Sequence, residues 1–505
     1  MNTTKSNCLR TALISAVLIL LGALVNVSPV AAQTGGVSLW VNTIGGPGED
    51  IVRGVATDNA GNVIAAGIAN GRDGFVTKYS AGGVPLWSKS FINTGIHAGV
   101  TQANDVSVDA FGSVFVIGTF SGQADFDPGP GETSLTSNGD EDIFVLKLDA
   151  DGNFVWAVTL GGKQSDSGEA IFVDGRGFVY TTGSFEGEMD VDPDPGAAFM
   201  LYSQGEDDIF VVRYSNSGEL RRAWSMGGSQ DAVGRDIAVD SAGNVFIAGD
   251  FLGRIDLDHN NTSDEHRSEG HEDIFVVKYS DSAGWLWSAV VGGRGEDERP
   301  AVAVDRAGNV YLTGTFEASA NVKAKGIEYT LVSHGQEDLF LLKLDSAGNF
   351  VWAEGIGGPG VERGEDIVVD GRGDLHVTGS FGGLVDFDPG PGQTLLHSAN
   401  DSSDVFVGRY ASSGHFYAVR AFSGPQEAIG YALARDAASN LIAGGSFQGT
   451  VDFDPSAGSN TRNAAGGRDG FVVKLARDET RVGDEAVFLP YLGLGAPAAS
   501  LAWRD

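Results

Sequence analysis

The residues best suited to chemistry are pairs of aspartates separated by one residue, most of them followed by Pro and Gly. In an extended chain the two carboxylates lie on one face, with their Cα atoms roughly 7 Å apart. Hard oxygen ligands of this kind suit Ca²⁺, which takes about six to eight of them, so backbone or water would supply the rest. The alternative is an acidic, solvated hairpin tip shaped by Asp and Pro turns. The candidate calcium ligands are Asp125, Asp127, Asp190, Asp192, Asp256, Asp258, Asp386, Asp388, Asp452 and Asp454.

The segment that begins at Asp256 also contains three of the chain's eight histidines, His259, His266 and His271. Imidazoles beside carboxylates can bind Zn²⁺, or act as a general base and its orienting group. Their spacing matches no defined metal motif. A polar loop is therefore the alternative to a metal or catalytic site.

These segments lie inside a repeat of about 65 residues. The pattern Asp142-Ile-Phe-Val-Leu-Lys-Leu, followed by a turn and a second apolar run, returns along the chain with small changes. We number the repeat units one to seven by their leading aspartates, which are Asp73, Asp142, Asp208, Asp273, Asp338, Asp404 and Asp469.

Each unit resolves into four strands. In the second unit the strands are expected at 105–109, 113–120, 142–148 and 154–160, with an Asp-x-x-Gly turn at Asp109 and Gly112. The acidic pairs occupy an insert of about twenty residues between strands two and three. The first unit lacks this insert, and the fifth has Asn321 and Lys323 where acids stand elsewhere. The pattern predicts an all-β protein, a seven-bladed β-propeller of four-stranded blades.

Two ends of the repeat are complementary. The seventh unit stops after its third strand, 469–475, whereas Ser38-Leu-Trp-Val-Asn-Thr-Ile-Gly-Gly matches a fourth strand and precedes the first unit. We expect the N-terminal strand to complete the last blade and close the ring, which leaves no open edge there.

The motifs Ile-Ala-Val-Asp240-x-x-Gly-Asn-Val-Phe, Asp-Ile-Phe-Val-x-Lys and Gly-Asn-Phe-Val-Trp resemble the bacterial seven-bladed β-propeller repeat family (SBBP) over about residues 38–475. The resemblance implies a secreted or cell-surface protein. It implies almost no chemistry, because the family is mostly without an assigned activity.

Some charged and aromatic positions recur in nearly every unit. Recurrence of this kind favours a structural role performed once per unit over a single active site. The strand-three bases are Lys78, Lys147, Arg213, Lys278, Lys343, Arg409 and Lys474, the turn aspartates are Asp58, Asp109, Asp174, Asp240, Asp305, Asp370 and Asp436, and the strand-four tryptophans are Trp40, Trp87, Trp156, Trp224, Trp287 and Trp352.

The N-terminal segment 1–32 has a basic start, an apolar run and small residues before Gln33, which predicts a signal peptide cleaved after Ala32. The alternative is a retained membrane anchor. The lone Cys8 precedes the apolar run, so the mature chain would contain no thiol. Residues 33–475 form the predicted propeller, and 476–505 a charged linker with an apolar tail that resembles a wall-anchoring signal only faintly, at 489–493.

The chain carries a net charge of −34, which argues against nucleic acid as a partner because phosphate binding needs a basic patch. We expect a secreted or cell-surface binding or scaffold module without enzymatic activity, with calcium as a candidate cofactor and an extracellular ligand, glycan or protein as partner. After signal cleavage we expect no membrane span. The alternative is an extracellular propeller lyase or hydrolase acting on polysaccharide or a small molecule, which would need His, Arg and carboxylates converging near the propeller axis.

Overall fold

The computed structural model of the protein describes residues 37–477, apart from 94–98, 195, 260–262, 283 and 457. The predicted signal peptide, its cleavage site and most of the C-terminal tail therefore lie outside the described residues. The described chain is almost entirely β-structure, with a single 3₁₀ turn at Ala399–Asp401.

The strands of the first half of the chain are β1 Ser38–Ile44, β2 Ile51–Thr57, β3 Val63–Ala69, β4 Asp73–Tyr79, β5 Pro85–Asn93, β6 Thr101–Val108, β7 Val114–Phe120, β8 Gln123–Asp125, β9 Ser134–Thr136, β10 Asp142–Leu148, β11 Phe154–Leu160, β12 Asp166–Val173, β13 Val179–Asp190, β14 Met200–Tyr214, β15 Leu220–Gly228, β16 Ala232–Val239, β17 Val245–Phe251 and β18 Arg254–Asp256. The strands of the second half are β19 Glu265–Arg267, β20 Asp273–Ser280, β21 Gly284–Gly293, β22 Asp297–Val304, β23 Val310–Ala324, β24 Ile327–Leu344, β25 Phe350–Ile356, β26 Glu362–Val369, β27 Leu375–Gly382, β28 Leu384–Asp386, β29 Leu395–His397, β30 Ser403–Tyr410, β31 Phe416–Phe422, β32 Ala428–Arg435, β33 Leu441–Phe447, β34 Thr450–Asp452, β35 Thr461–Asn463 and β36 Asp469–Leu475.

The second and third strands of a unit form its buried centre. In the second unit every residue of β7 and β10 is buried, and the two strands pair antiparallel along their whole length. A run without alternating polarity is expected of a strand covered on both faces. The turn after β10 is set by Asp149, which accepts the backbone N–H groups of Asp151 and Asn153, and by Gly152 with φ +79°.

The prediction of seven separate four-stranded blades is wrong. The structure contains a five-bladed propeller together with a larger sheet, a half-barrel of eight strands. Three of the blades have four strands and two have six, because the hairpins β8–β9 and β18–β19 attach to the last strand of the unit before them. The eight-stranded sheet joins the fourth and fifth units through the pairing of β21 with β23.

The eight-stranded sheet has a local cause in the fifth insert. Other inserts turn at an Asp-x-Asp segment, but here Asn321 and Lys323 continue the extended chain, so β23 runs for 15 residues. Its outer part pairs with β21 from Ala289 opposite Ala324 to Gly293 opposite Ala320. A strand of this length bridges two units, whereas a turn would have separated them.

The N-terminal strand lies where its pattern placed it. β1 pairs antiparallel with β36, from Ser38 opposite Leu475 to Ile44 opposite Gly470. It completes a four-stranded sheet with β33 and β32, so the first strand of the described chain and the last belong to one blade.

The hydrophobic core is a set of clusters between neighbouring sheets. Phe126 from an insert packs 4.7 Å from Phe144 and 5.2 Å from Phe120, measured between ring centroids. All three rings are fully buried, so the insert is anchored to the sheet. Among the described residues no helix is long and apolar enough to cross a membrane.

Candidate functional site

A cavity of about 430 Å³ lies where the first strands of all seven units meet, and we call it the central cavity. Its volume is within the range of pockets that hold small molecules. The strands that form its wall are β2, β6, β12, β16, β22, β26 and β32.

Each wall strand contains a β-bulge at the same place, where the register against the neighbouring second strand shifts. A bulge leaves one residue out of the pairing and redirects its side chain. Here the unpaired residues line the cavity, and they differ from unit to unit. They are Arg53, Asn104, Glu169, Arg235, Arg299 with Pro300, Glu365 and Tyr431.

Most of the charged groups in the wall already have partners. Arg235 makes a two-pronged contact with Asp250, with N–O distances of 2.7 and 3.1 Å. Glu169 accepts a hydrogen bond of 2.6 Å from the hydroxyl of Ser167. The side chain of Arg53 is exposed and, within the described residues, makes no hydrogen bond or ion pair.

Arg299 is held in an unusual backbone conformation, with φ +57°. The left-handed region costs a non-glycine residue free energy and is enriched at functional sites. The guanidinium lies 3.2 Å from a carboxylate oxygen of Glu298 and 3.8 Å from one of Glu365. The bulge therefore holds a strained, exposed arginine at the cavity wall.

Beside the bulges, aspartates in the second, fourth and sixth units each connect their unit to the next one. Asp105 accepts the N–H of Val106 at 2.7 Å with one oxygen and the N–H of Ile171, in the next unit, at 2.9 Å with the other. The third unit has Ala170 at the position that Asp105 occupies in the second unit. The carboxylate of Asp105 therefore accepts an N–H group from both strands, that of Val106 and that of Ile171. The same contacts join Asp236 to Ile237 and Val302, and Asp366 to Ile367 and Leu433.

The pKa values of these aspartates are raised. Desolvation brings the pKa of Asp105 to about 7 and that of Asp366 to about 8, and the charge of Asp236 adds to both shifts. Desolvation also raises the pKa of Asp236 itself. The wall therefore changes its charge near neutral pH.

The acidic pairs predicted to bind calcium form hairpin turns. Asp125 accepts the N–H groups of Asp127 and Thr133 with one oxygen, and Asp127 accepts that of Gly129. The residue between the two aspartates, Phe126, is fully buried. The first aspartate of the other pairs makes the same two kinds of contact, at Asp190, Asp256, Asp386 and Asp452. These contacts account for the motif, and calcium binding stays a prediction.

The three histidines of the fourth insert have different neighbours. The ring of His259 packs 5.5 Å from that of Trp224, and burial lowers its pKa. His266 contacts Ser288 at 2.9 Å. His271 instead lies near Glu272 and Glu296: one ligand atom from each of the three residues falls within 4.8 Å of the others. Among the described residues this is the only such group of three, and it contains neither His259 nor His266.

The recurring bases and turn aspartates do structural work, as predicted. Lys78 lies 3.0 Å from Asp58 and donates to the carbonyl of Ala150 in the next unit at 3.2 Å. Trp87 donates to the same carbonyl at 3.2 Å. Lys474 likewise lies 2.8 Å from Asp436.

Sequence reasoning missed the wall of the central cavity. Its residues stand inside strand one, where the repeat otherwise predicts only packing. The sequence did contain a signal for these residues. One position in strand one changes between charged, polar and aromatic residues from unit to unit, whereas the positions beside it repeat. Aligning the units on their turn aspartates would have placed Arg53, Glu169 and Tyr431 in one column.

No family model matches the chain. It is 22% identical over 440 residues to an uncharacterized WD repeat-containing protein of Acanthamoeba polyphaga mimivirus, covering 72% of this chain and 31% of the relative. It is 26% identical over 385 residues to the regulatory protein FlaEY of Caulobacter vibrioides, covering 70% of this chain and 38% of the relative. The chain thus spans about a third of the length of these curated relatives.

Two solved structures show a distant similarity. A streptogramin B lyase aligns with 87% of this chain and 98% of its own, with a TM-score of 0.40 and 9% identity. A protein of unknown function from Dyadobacter fermentans aligns with 86% and 98%, with a TM-score of 0.38 and 11% identity. Scores this low carry no functional argument. The relatives fit a repeat β-propeller, and membership in the SBBP family in particular stays a prediction.

Proposed function

We propose that the protein is an extracellular, non-enzymatic binding module whose central cavity holds a small anionic ligand with several hydroxyl groups, such as an acidic sugar. The observation that carries this proposal is Arg53, an exposed cation in the wall that makes no hydrogen bond or ion pair among the described residues, although its charge lowers the pKa of Glu365. An arginine can bind a carboxylate with two parallel hydrogen bonds.

Further polar atoms in the wall suit hydroxyl groups. Asn104 donates its amide N–H to the carbonyl of Gly168 at 2.9 Å, and within the described residues its amide oxygen is buried without a partner. Gln102 and Tyr431 complete a set of neutral polar groups on both sides of Arg53 in the ring of units. A ligand hydroxyl that reached the Asn104 oxygen would satisfy a buried acceptor, which favours binding.

The composition of the wall favours binding over catalysis. The alternative function, a lyase or hydrolase, was expected to place His, Arg and carboxylates together near the axis. Arginines and carboxylates are present, but the seven described histidines lie elsewhere. Most of the bulge residues are also held by a hydrogen bond or an ion pair to a neighbouring side chain or carbonyl, which suits a rigid recognition surface.

The binding proposal is tested by calorimetric titration of the protein with a panel of uronic acids, sialic acid, sulfated sugars and their neutral counterparts. Acidic sugars should bind and neutral ones should bind at least tenfold more weakly. Arg53→Gln should abolish the difference while leaving the melting temperature unchanged. The control is Arg221→Gln, because Arg221 is exposed and pairs with Glu219 away from the cavity. Equal binding by wild type and Arg53→Gln would contradict the proposal.

Location outside the cytoplasm rests on the predicted signal peptide. N-terminal sequencing of exported material should find Gln33 at or near the start. A mature chain that begins at Met1 and remains in the cytoplasm would contradict it.

Calcium dependence is the second part of the predicted function. Thermal unfolding in chelator, calcium and matched magnesium should show a rise in melting temperature with calcium alone, and the rise should shrink in Asp125→Asn/Asp127→Asn. Identical curves in chelator and calcium would contradict a calcium site. The same titration with Zn²⁺ tests the group of His271, Glu272 and Glu296, with His271→Ala as the variant.

A further inference from the structure

Four junctions between neighbouring units contain two buried acidic side chains whose charges interact. One acid is the leading aspartate of a unit, and the other lies at the start of strand one of the next unit. All are at most 3% exposed. The pairs are Asp142 with Asp166, Asp273 with Asp297, Asp338 with Glu362, and Asp469 with Asp50.

The hydrogen bonds of the second pair leave two oxygens unused. Asp297 accepts the N–H of Gly293 at 2.7 Å with one oxygen, and Asp273 accepts the N–H of Glu269 at 3.4 Å with one oxygen. Within the described residues, Oδ2 of Asp273 and Oδ1 of Asp297 have no hydrogen-bond partner, although both side chains are fully buried. The pair of Asp469 and Asp50 leaves the same two kinds of oxygen without a partner.

Two of the three junctions without a second acid show how the first acid can be satisfied. Asp208 faces a unit that begins with Ala232 instead of an acid. One of its oxygens accepts the N–H of Gln204 at 3.0 Å and the other accepts that of Gly228 at 3.1 Å. Asp404, before Ala428, is satisfied in the same way.

In the pairs of Asp273 with Asp297 and of Asp469 with Asp50 the second acid takes over the glycine N–H, and each acid keeps one oxygen without a partner among the described residues. Asp338 differs, because Ser333 and His334 donate to its two oxygens even beside Glu362. Asp73, which precedes Thr101, also keeps one oxygen without a partner among the described residues.

We propose that the two pairs with an unused oxygen on both acids, Asp273 with Asp297 and Asp469 with Asp50, each hold one proton between their carboxyl groups, in an O–H···O⁻ hydrogen bond that connects neighbouring units at neutral pH. Two ionised carboxylates buried side by side would repel each other and lack donors. A cation is less suited to the gap, because Ca²⁺ takes about six or more oxygen ligands and the groups that contact these pairs are mainly N–H donors.

The electrostatic surroundings agree with this assignment. Desolvation, with the Asp297–Asp273 interaction adding to it, raises the pKa of Asp297 to about 8, and desolvation raises that of Asp273 to about 7. The charges of Glu269 and Lys323 act on the pKa of Asp273 in opposite directions. The charge of Glu317 raises the pKa of Asp297, as that of Asp273 does, whereas the backbone groups of Gly293 and Glu317 lower it. Together these effects leave the pKa values of both carboxyl groups raised, which favours a proton bound to the pair.

A raised pKa in the folded state has a defined consequence for stability. An unfolded aspartate releases its proton near pH 4. The stabilisation that the pair of Asp273 and Asp297 provides is therefore complete below that pH and is lost as pH rises through about 7 to 8. The junctions of this protein should be strongest in mild acid.

The shared proton is tested directly by infrared spectroscopy of the purified chain in D₂O. Wild type should show the C=O band of a protonated carboxyl at pH 7, and Asp297→Asn should lose the part equivalent to one carboxyl. An asparagine at this position can donate to Asp273 and still accept from Gly293, so the melting temperature should be retained at pH 7 and depend less on pH.

The matched control is Asp208→Asn, at a junction where both oxygens already accept N–H groups. This variant should melt at a lower temperature because one N–H loses its acceptor. Since burial raises the pKa of Asp208 only to about 6, its replacement should change the pH dependence of the melting temperature below pH 6 and leave it unchanged between pH 7 and 8, where Asp297→Asn changes it. Absence of the carboxyl band at pH 7, or a melting temperature of wild type that falls in chelator and recovers with calcium, would overturn the proposal. Equal losses of stability in Asp297→Asn and Asp208→Asn would overturn it as well.

Discussion

The junctions between units and the wall of the central cavity are made from the same repeat, but they use it in opposite ways. At the junctions the same base, turn aspartate and tryptophan return, as with Lys78, Asp58 and Trp87. At the wall the bulge position changes in nearly every unit. Recurrent side chains therefore hold the units together, whereas only a set that differs between units can recognise a ligand without internal symmetry.

This difference also separates stability from function. The side chains of Lys474 and Asp436 are 3% and 4% exposed, so their ion pair is removed from water. Arg53 and Arg299 are exposed to the cavity. Substitutions at the junctions should therefore change the free energy of unfolding, and substitutions at the wall should change binding.

The largest effect is expected from the strand that joins the two ends of the described chain. Deletion of residues 33–46 removes β1 and exposes the edge of β36. We expect a loss of several kcal/mol, enough to unfold a marginally stable domain. Thermal unfolding followed by circular dichroism measures it, with deletion of 33–36 alone as the control. An unchanged melting temperature would show that this strand pairing contributes little.

The next effect concerns a single junction. Lys474→Met leaves the buried carboxylate of Asp436 without its cation and should cost about 3–5 kcal/mol in chemical unfolding. The double variant Lys474→Met/Asp436→Asn should recover part of this loss. Lys163→Met is the control at an exposed lysine and should stay within about 0.5 kcal/mol of wild type. If Lys474→Met also stayed within about 0.5 kcal/mol of wild type, the recurrence of this base in every unit would not indicate a contribution to stability.

The strands themselves could be predicted from sequence because their signal is local. Strand three of the second unit was expected at 142–148, where β10 lies, and strand four at 154–160, where β11 lies. Strand one was expected at 105–109, but β6 begins at Thr101. Its early part contains the bulge at Asn104, which breaks the alternation that marks a strand.

The sheet count and the cavity could not be predicted in the same way. The hairpin strand β8 attaches to β5 through only two residue pairs, at Ile92 and Asn93, and a contact this short has no sequence pattern. The pairing of β21 with β23 requires that the chain stay extended through Asn321 and Lys323. The sequence alone does not decide whether these two residues continue a strand or form a loop that has lost its acids. The cavity depends on seven distant bulges meeting, and each of them appears locally as an irregularity.

A substitution at the strained bulge should separate backbone strain from charge. Arg299→Gly places a residue that tolerates φ +57° at no steric cost, but it also takes a cation from the carboxylates of Glu298 and Glu365. The relief of strain and the loss of the cation oppose each other, so we expect the free energy of unfolding to stay within about 1 kcal/mol of wild type. The same change removes a guanidinium from the wall, so affinity for an acidic sugar should fall. Thermal unfolding and calorimetric titration measure the two effects, with Arg299→Lys as the control that keeps both charge and strain. A rise in stability without loss of affinity would place Arg299 among the structural residues.

The smallest effect is a pH dependence of binding at the wall. Desolvation and the charge of Asp236 raise the pKa of Asp105 to about 7 and that of Asp366 to about 8, so both carboxyls lose protons as pH rises from 6 to 9. Each loss adds negative charge to the cavity and should weaken binding of an anionic ligand, by about tenfold or less in total. The same deprotonation removes stability as pH rises, because the folded-state pKa values exceed those of the unfolded chain.

Titration of an acidic sugar at pH 6, 7.5 and 9 measures the trend, and Asp366→Asn should reduce it because that site then stays neutral. A neutral sugar provides the control ligand. Affinity for the acidic sugar that rises with pH would show that these aspartates do not act on the ligand, and the cavity wall would then differ from the junctions in composition alone.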